Sequence, residues 1–201
     1  MGHKGALWLK AVARGVTAHG SMPEKGDNAV IKAAHAVVRL TDFDFNVQRH
    51  KVLGGPTLNI GTFHGGLKTN SVPDRAEVSL DSLTVPGPAH AAVREVVGTF
   101  LGDEMEISPI IDVPAVWTDP SGPWIQRVFE IMALLLAMPM PQAATYFTDA
   151  SALTPTMGKL PTVILGPGEA AMAHQTDEYC LTSRIDQAVE AYGRIIEDWC
   201  Q

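Results

Sequence analysis

Cysteine is nearly absent from this 201-residue chain, which has only Cys180 and Cys200. Two thiols cannot build the disulfide framework of a small secreted domain. The N-terminus also carries no leader with charged, apolar and small-residue regions, so reduced thiols and a cytoplasmic location are expected. No apolar run approaches the roughly 20 residues that span a bilayer, and no membrane partner is expected. Basic clusters are missing too: 15 Lys and Arg are dispersed singly against 22 Asp and Glu, for a formal net charge of −7. A nucleic-acid or anionic-membrane surface needs clustered cations, so nucleic acid is not an expected partner. The histidines do not pair either. His3, His35, His50, His64 and His90 lack the i, i+4 or closely spaced arrangement that lets two imidazoles converge on one ion.

Hydrophobic residues, by contrast, make up 46% of the chain, enough for one substantial core or two small ones. Ala6 to Val16 alternates as a strand and stops at the Gly15 and His19-Gly20-Ser21 turn. Asp27 is placed to cap a helix over Asn28 to Leu40, where apolar residues recur at near-helical spacing. Thr57 to Phe63 and Asp74 to Val85 read as strands joined by a Gly65 to Pro73 connection. Ala89 to Leu101 reads as a second helix and Met105 to Ile111 as a fourth strand. The order β-α-β-β-α-β predicts a ferredoxin-like α+β sandwich over about residues 5–112.

Beyond Val113-Pro114 the texture changes, and residues 113–201 read as a separate segment. A helix is expected from Trp124 to Ala137, a helix start at Thr148-Asp149, a buried strand at Thr162 to Leu165, and a closing helix from Ser183 to Trp199. Ile185, Val189, Tyr192, Ile195 and Ile196 should face inward on that last helix. Leu134 to Leu136 and the methionines Met132, Met138 and Met140 read as core filling. One strand cannot make a sheet, so this segment is expected to be part of a larger α/β domain whose other strands lie upstream.

Three motifs carry chemistry. Leu165-Gly166-Pro167-Gly168 precedes His174-Gln175-Thr176-Asp177-Glu178-Tyr179, placing one imidazole and two carboxylates beyond a turn. Ala18-His19-Gly20-Ser21-Met22-Pro23 leads into Gly26-Asp27-Asn28-Ala29. Gly65-Gly66-Leu67-Lys68-Thr69-Asn70-Ser71-Val72-Pro73 lies between them. Together they resemble the co-catalytic zinc amide hydrolases that include acetylornithine deacetylase, succinyl-diaminopimelate desuccinylase, aminoacylase and carboxypeptidase G.

The resemblance implies an α/β protein overall, with a ferredoxin-like dimerisation (lid) domain at 5–112 followed by the C-terminal segment of an α/β metallopeptidase domain at 113–201. It covers nearly all of this chain but only the later part of the family's chain, so Met1 reads as an internal start or a boundary. It implies a homodimer acting on a small N-acyl amino acid or peptide, with two zinc ions in a complete active site. By the same resemblance His174 is a metal ligand, and His19 reaches the partner subunit's site to stabilise an oxyanion. Asn70, Thr148 and Gly168 would contact substrate. His19, Asn70 and Thr148 also have plainer readings: a turn histidine at 19, a turn asparagine at 70, and a helix cap at 148.

The family's other metal ligands come largely from an upstream His-x-Asp segment and a Glu-Glu pair, and neither occurs here. The chain alone is therefore expected to be inactive. Leu83, in Asp81-Ser82-Leu83, stands where many members carry an arginine able to pair with a substrate carboxylate. The alternative reading is a non-catalytic dimerisation or regulatory protein built on the same scaffold. RNA binding on such a sandwich needs exposed aromatics on its central strands, and Thr57 to Phe63 offers only Phe63.

Overall fold

The computed structural model describes residues 1–135, 141–173 and 175–200. Its elements in chain order are β1 (Gly2–His3), β2 (Gly5–Arg14), α1 (Ala29–Leu40), β3 (Thr57–Gly65), β4 (Arg75–Thr84), α2 (His90–Leu101), β5 (Met105–Val113), β6 (Val116–Trp117), α3 (Pro123–Ala133), α4 (Ala150–Thr156) and α5 (Thr182–Trp199). They form two compact units, one of Lys4–Ala115 and one of Met1–His3 with Val116–Gln201.

In the first unit β2, β3, β4 and β5 make one antiparallel sheet in the order β3-β4-β2-β5, with α1 and α2 connecting its strands. That order and connectivity is the ferredoxin-like sandwich expected from the sequence. Alternation builds it. Leu7, Leu9, Ala11 and Ala13 of β2 and Ala76, Val78 and Leu80 of β4 project from one face into a core shared with Ala33 and Ala36 of α1 and with Val97 and Leu101 of α2. Alanines on α1 let the helix approach the sheet closely.

The α1 cap is one residue later than expected. Asn28, not Asp27, accepts from the Val30 and Ile31 amides at 3.0 and 3.1 Å. Asp27 is committed elsewhere: its backbone exchanges hydrogen bonds with Val16 and its carboxylate pairs with Lys32. This bridge explains Gly15, because a Cβ there would lie 1.9 Å from the Asp27 carbonyl oxygen. The first strand accordingly ends at Arg14, short of Val16.

The second unit departs further from expectation. β1 and β6 pair as a two-stranded antiparallel ribbon that sequence patterning did not flag. Helix α3 ends at Ala133 with Leu134 as its cap, so the helix expected to reach Ala137 is shorter, although 136 and 137 fall outside the described residues. Met132 is buried but Leu134 is 69% exposed, which overturns its reading as core, while Leu136, Met138 and Met140 lie outside the described residues. No strand forms at Thr162 to Leu165. That run is held by Thr118, whose Oγ1 donates to the Thr162 carbonyl at 2.8 Å and accepts from its amide at 2.9 Å. An extended run becomes a strand only beside another, and no neighbouring strand is there to pair with it among the described residues.

Helix α5 covers the expected span, yet its apolar face does not turn inward as expected. Val189 is 66% and Ile196 61% exposed, with Ile185 and Tyr192 also exposed. Ile195 alone of the expected set packs on the small core of Val128, Met132 and Ala191. The amphipathic period is present, but among the described residues nothing covers the stripe. No helix among them is long and apolar enough to cross a membrane.

Candidate functional site

His19 sits in the loop after β2, and Asn70 in the connection between β3 and β4, 51 positions later. The backbone brings them together. Gly20 N donates to Asn70 O at 2.8 Å, Val72 N donates to Ala18 O at 2.8 Å, and His19 bridges Ser71 in antiparallel fashion. A side chain at Gly20 would crowd the Asn70 backbone at about 3.0 Å, so glycine permits the close approach. Val72 is buried and anchors the pair, whereas His19 and Asn70 are both exposed.

Ser21 orients the imidazole. Its amide donates to His19 Nδ1 at 3.2 Å, and its Oγ lies 2.8 Å from the same nitrogen. Because a backbone N–H is only a donor, Nδ1 must accept, and the neutral ring then carries its proton on Nε2. The site therefore presents an exposed imidazole N–H and an exposed carboxamide from two stapled loops. Both are hydrogen-bond donors of the kind that stabilises a developing oxyanion.

The other sequence candidates lie in the second unit. Thr148 is half-buried just before α4: its Oγ1 accepts from Ala150 N at 3.3 Å and its carbonyl accepts from Ser151 Oγ at 2.7 Å. Asp149 makes no side-chain cap, so Thr148 is the residue that closes this helix start. Gly168 is exposed in the turn after Leu165, with open space around the position a side chain would take. It lines a cavity of about 570 Å³ with residues from α3 and α5, near the Arg184–Glu169 ion pair at 2.9 Å. His174 lies outside the described residues.

Among the described residues no three His, Cys, Asp or Glu side chains gather as a set able to hold a metal. The described residues by themselves do not assemble a zinc site. Leu83 is half-buried on the sheet face away from the helices, between Ala6 and Thr57 of the adjoining strands. Asp81, two residues earlier on the same face, has a buried Oδ1 with no hydrogen-bond partner.

Sequence reasoning missed one polar cluster. His90 at the start of α2 contacts Thr84 Oγ1 through Nε2 at 2.7 Å and Asp112 Oδ1 through Nδ1 at 2.6 Å. Thr84 is buried, so the cluster fastens α2 to β4 and β5 and presents no reactive hydroxyl.

Residues 1–107 match the model of the peptidase dimerisation domain. The chain belongs to the M20 peptidase family. This bears out the resemblance read from its motifs, and the family is one of hydrolases that includes metallopeptidases. Among curated relatives, the chain is 29% identical over 212 residues to the acetylornithine deacetylase of Vibrio cholerae, covering 98% of this chain and 54% of the relative. It is 27% identical to a probable carboxypeptidase of Ajellomyces dermatitidis, covering 98% of this chain and 46% of the relative. The chain thus spans about half the length of the curated relatives it matches. Among solved structures, the fold resembles aminopeptidase PepT from Bacillus cereus, with TM-score 0.71 and 22% identity over 100% of this chain and 53% of that one. It also resembles a metallo-carboxypeptidase from Sulfolobus solfataricus, with TM-score 0.73 and 17% identity over 97% of this chain and 58% of that one.

Proposed function

We propose that this M20-family chain provides the dimerisation domain and the C-terminal catalytic segment of a zinc-dependent cytoplasmic amidohydrolase acting on N-acyl amino acids or small peptides. The observation that carries the reading is the pair of stapled loops, which holds His19 with Nε2–H outward beside Asn70. In this reading the chain forms a homodimer. His19 enters the partner subunit's site and donates to the oxyanion that forms when the amide carbon becomes tetrahedral, while Asn70 donates to a substrate oxygen. Thr148 and Gly168 line the substrate site of the chain's own subunit, and His174 is a metal ligand whose companions come from polypeptide outside this sequence. The exposed α5 stripe and the unpaired run at 162–165 support a domain that is completed by further chain. Alone, the chain is inactive.

Self-association through the sheet is favoured at β3 over β5. Both are edge strands, but β5 carries Pro109 at an irregularity in its pairing with β2, and a proline removes a donor from the edge. Helix α1 exposes Ile31 and Val38 as a second apolar contact.

The test uses the protein with the complementary segment restored. His19→Ala should lower turnover by about 10² to 10³ with metal content unchanged, the scale for losing one oxyanion donor. His174→Ala should remove metal and activity together. Mixing the two inactive variants under subunit exchange should restore partial activity, because one chain then joins an intact metal site to its neighbour's intact His19. Activity that stays at the single-variant level despite proven exchange would falsify the cross-subunit role.

A further inference from the structure

A second concave site lies in the Lys4–Ala115 unit, built from the 41–49 loop after α1 and the first half of β3. It is a cavity of about 650 Å³ whose walls include Leu40, Phe43, Phe45, Leu58 and Ile60, with Arg49 at its margin. That volume is in the range of small-molecule pockets, roughly 300 to 1,000 Å³. Its exposed lining is more polar than apolar, with Thr41, Asp44 and Asn59 beside an aromatic part in which Phe43 meets Phe45 edge-on at 4.8 Å between ring centroids and Phe100 at 5.2 Å.

Arg49 is exposed beside a glycine turn. The tight turn in which His50 and Gly54 exchange backbone hydrogen bonds puts Gly54 and Gly55 against its guanidinium, and a Cβ at Gly55 would lie 3.3 Å from a guanidinium nitrogen. Among the described residues no carboxylate or carbonyl takes up its donors. Lys4 adds positive charge on the same side, its Nζ donating to the Gly55 carbonyl at 2.6 Å. Burial holds the Lys4 ammonium below its ordinary pKa, and the nearby Arg49 charge lowers it further. One carboxylate also lines the cavity, Asp44. Its Oδ1 accepts from the Asn46 amide at 2.8 Å, which stabilises the positive φ of Asn46, and it makes no ion pair with Arg49.

We infer that this cavity binds a small apolar carboxylate, with its aliphatic or aromatic part against Phe43, Phe45 and Ile60 and its carboxylate on the Arg49 guanidinium. A planar guanidinium with free donors takes a carboxylate in a two-pronged contact, and the apolar wall favours a hydrocarbon group on the same molecule. The site uses neither His19 nor the second unit, but it shares β3 with the edge proposed for self-association, and dilution distinguishes the two.

The test is an amide-resolved NMR titration of the full chain with hexanoate and with phenylacetate, using hexylammonium as the charge-reversed control. The expected result is saturable shifts at Gly54, Gly55, Leu58 and Ile60 with both acids and none with the amine. Arg49→Gln should weaken binding about tenfold, the scale of losing a charge-assisted hydrogen bond, and Arg49→Lys should retain part of it. Arg49 is exposed, so its variants should keep the wild-type spectrum elsewhere. Absence of saturable shifts at tens of millimolar acid overturns the proposal, as does equal response to the amine or an unchanged affinity in Arg49→Gln. If a second copy of the chain fills the cavity instead, the same amides shift on dilution and the acids add nothing, which also overturns it. A peptide ending in phenylalanine, titrated in parallel, separates a free acid from a chain terminus as the source of the carboxylate.

Discussion

Single residues in this protein are set by which donors reach which acceptors. At Asp119, the amide and hydroxyl of Ser121 both donate to Oδ1 at 2.8 Å, and these bonds hold the carboxyl below its ordinary range, the backbone bond contributing most. A carboxyl whose folded pKa is depressed contributes stability that is fully present above its unfolded pKa and lost as pH falls through the folded one. Ser121→Ala removes one of the two donors. The Asp119 carboxyl should then titrate closer to its ordinary value when followed by NMR, and an unmoved titration curve would show that the backbone bond alone holds it. The same logic governs His19, where a single amide donor selects the tautomer that leaves Nε2–H facing solvent.

At the scale of elements, caps and faces decide the outcome. Asn28 satisfies two amides at the start of α1, and Asn28→Ala should cost about 1 kcal/mol in denaturant unfolding, whereas Asp27→Ala should act through lost pairing with Lys32 and leave helix content unchanged. Helix α5 supports a contrasting expectation. Its stripe is exposed, so Val189→Asp with Ile196→Asp should change the stability of the isolated chain by no more than about 0.5 kcal/mol per site. In the protein with its complementary segment the same pair should abolish stable association of that segment, measured by co-purification. A large loss of stability in the isolated chain would mean that something already covers the stripe.

At the scale of the whole molecule, the Lys4–Ala115 unit has a continuous core and a complete antiparallel sheet, while among its described residues the other unit has a two-stranded ribbon and a core cluster of three buried residues. A unit with that core should fold alone, since strands and helices cover one another without outside help. Expressed by itself, Lys4–Ala115 should give a cooperative unfolding transition and a sedimentation coefficient that rises with concentration as copies associate. A non-cooperative transition, or a monomer at all concentrations, would count against an autonomous self-associating domain. The 116–200 part should by comparison unfold with low cooperativity.

The sequence by itself determined the sandwich. Alternation in β2 and β4, near-helical spacing in α1 and α2 and the turn residues between them are local signals, and each is satisfied by contacts within the same 112 residues. It also singled out His19 and Asn70 as candidate site residues, through motifs that resemble those of a family. Only the tertiary structure decided what depends on distant partners. It brought the His19 and Asn70 loops together through backbone bonds that no periodicity encodes, and it chose Asn28 over Asp27 as the cap because Val16 and Lys32 had already engaged Asp27. It left Thr162 to Leu165 without a strand and α5 with its apolar stripe in solvent. A hydrophobic period states that a face is suited to burial, but burial itself needs a surface to cover it, and that surface is not among the described residues.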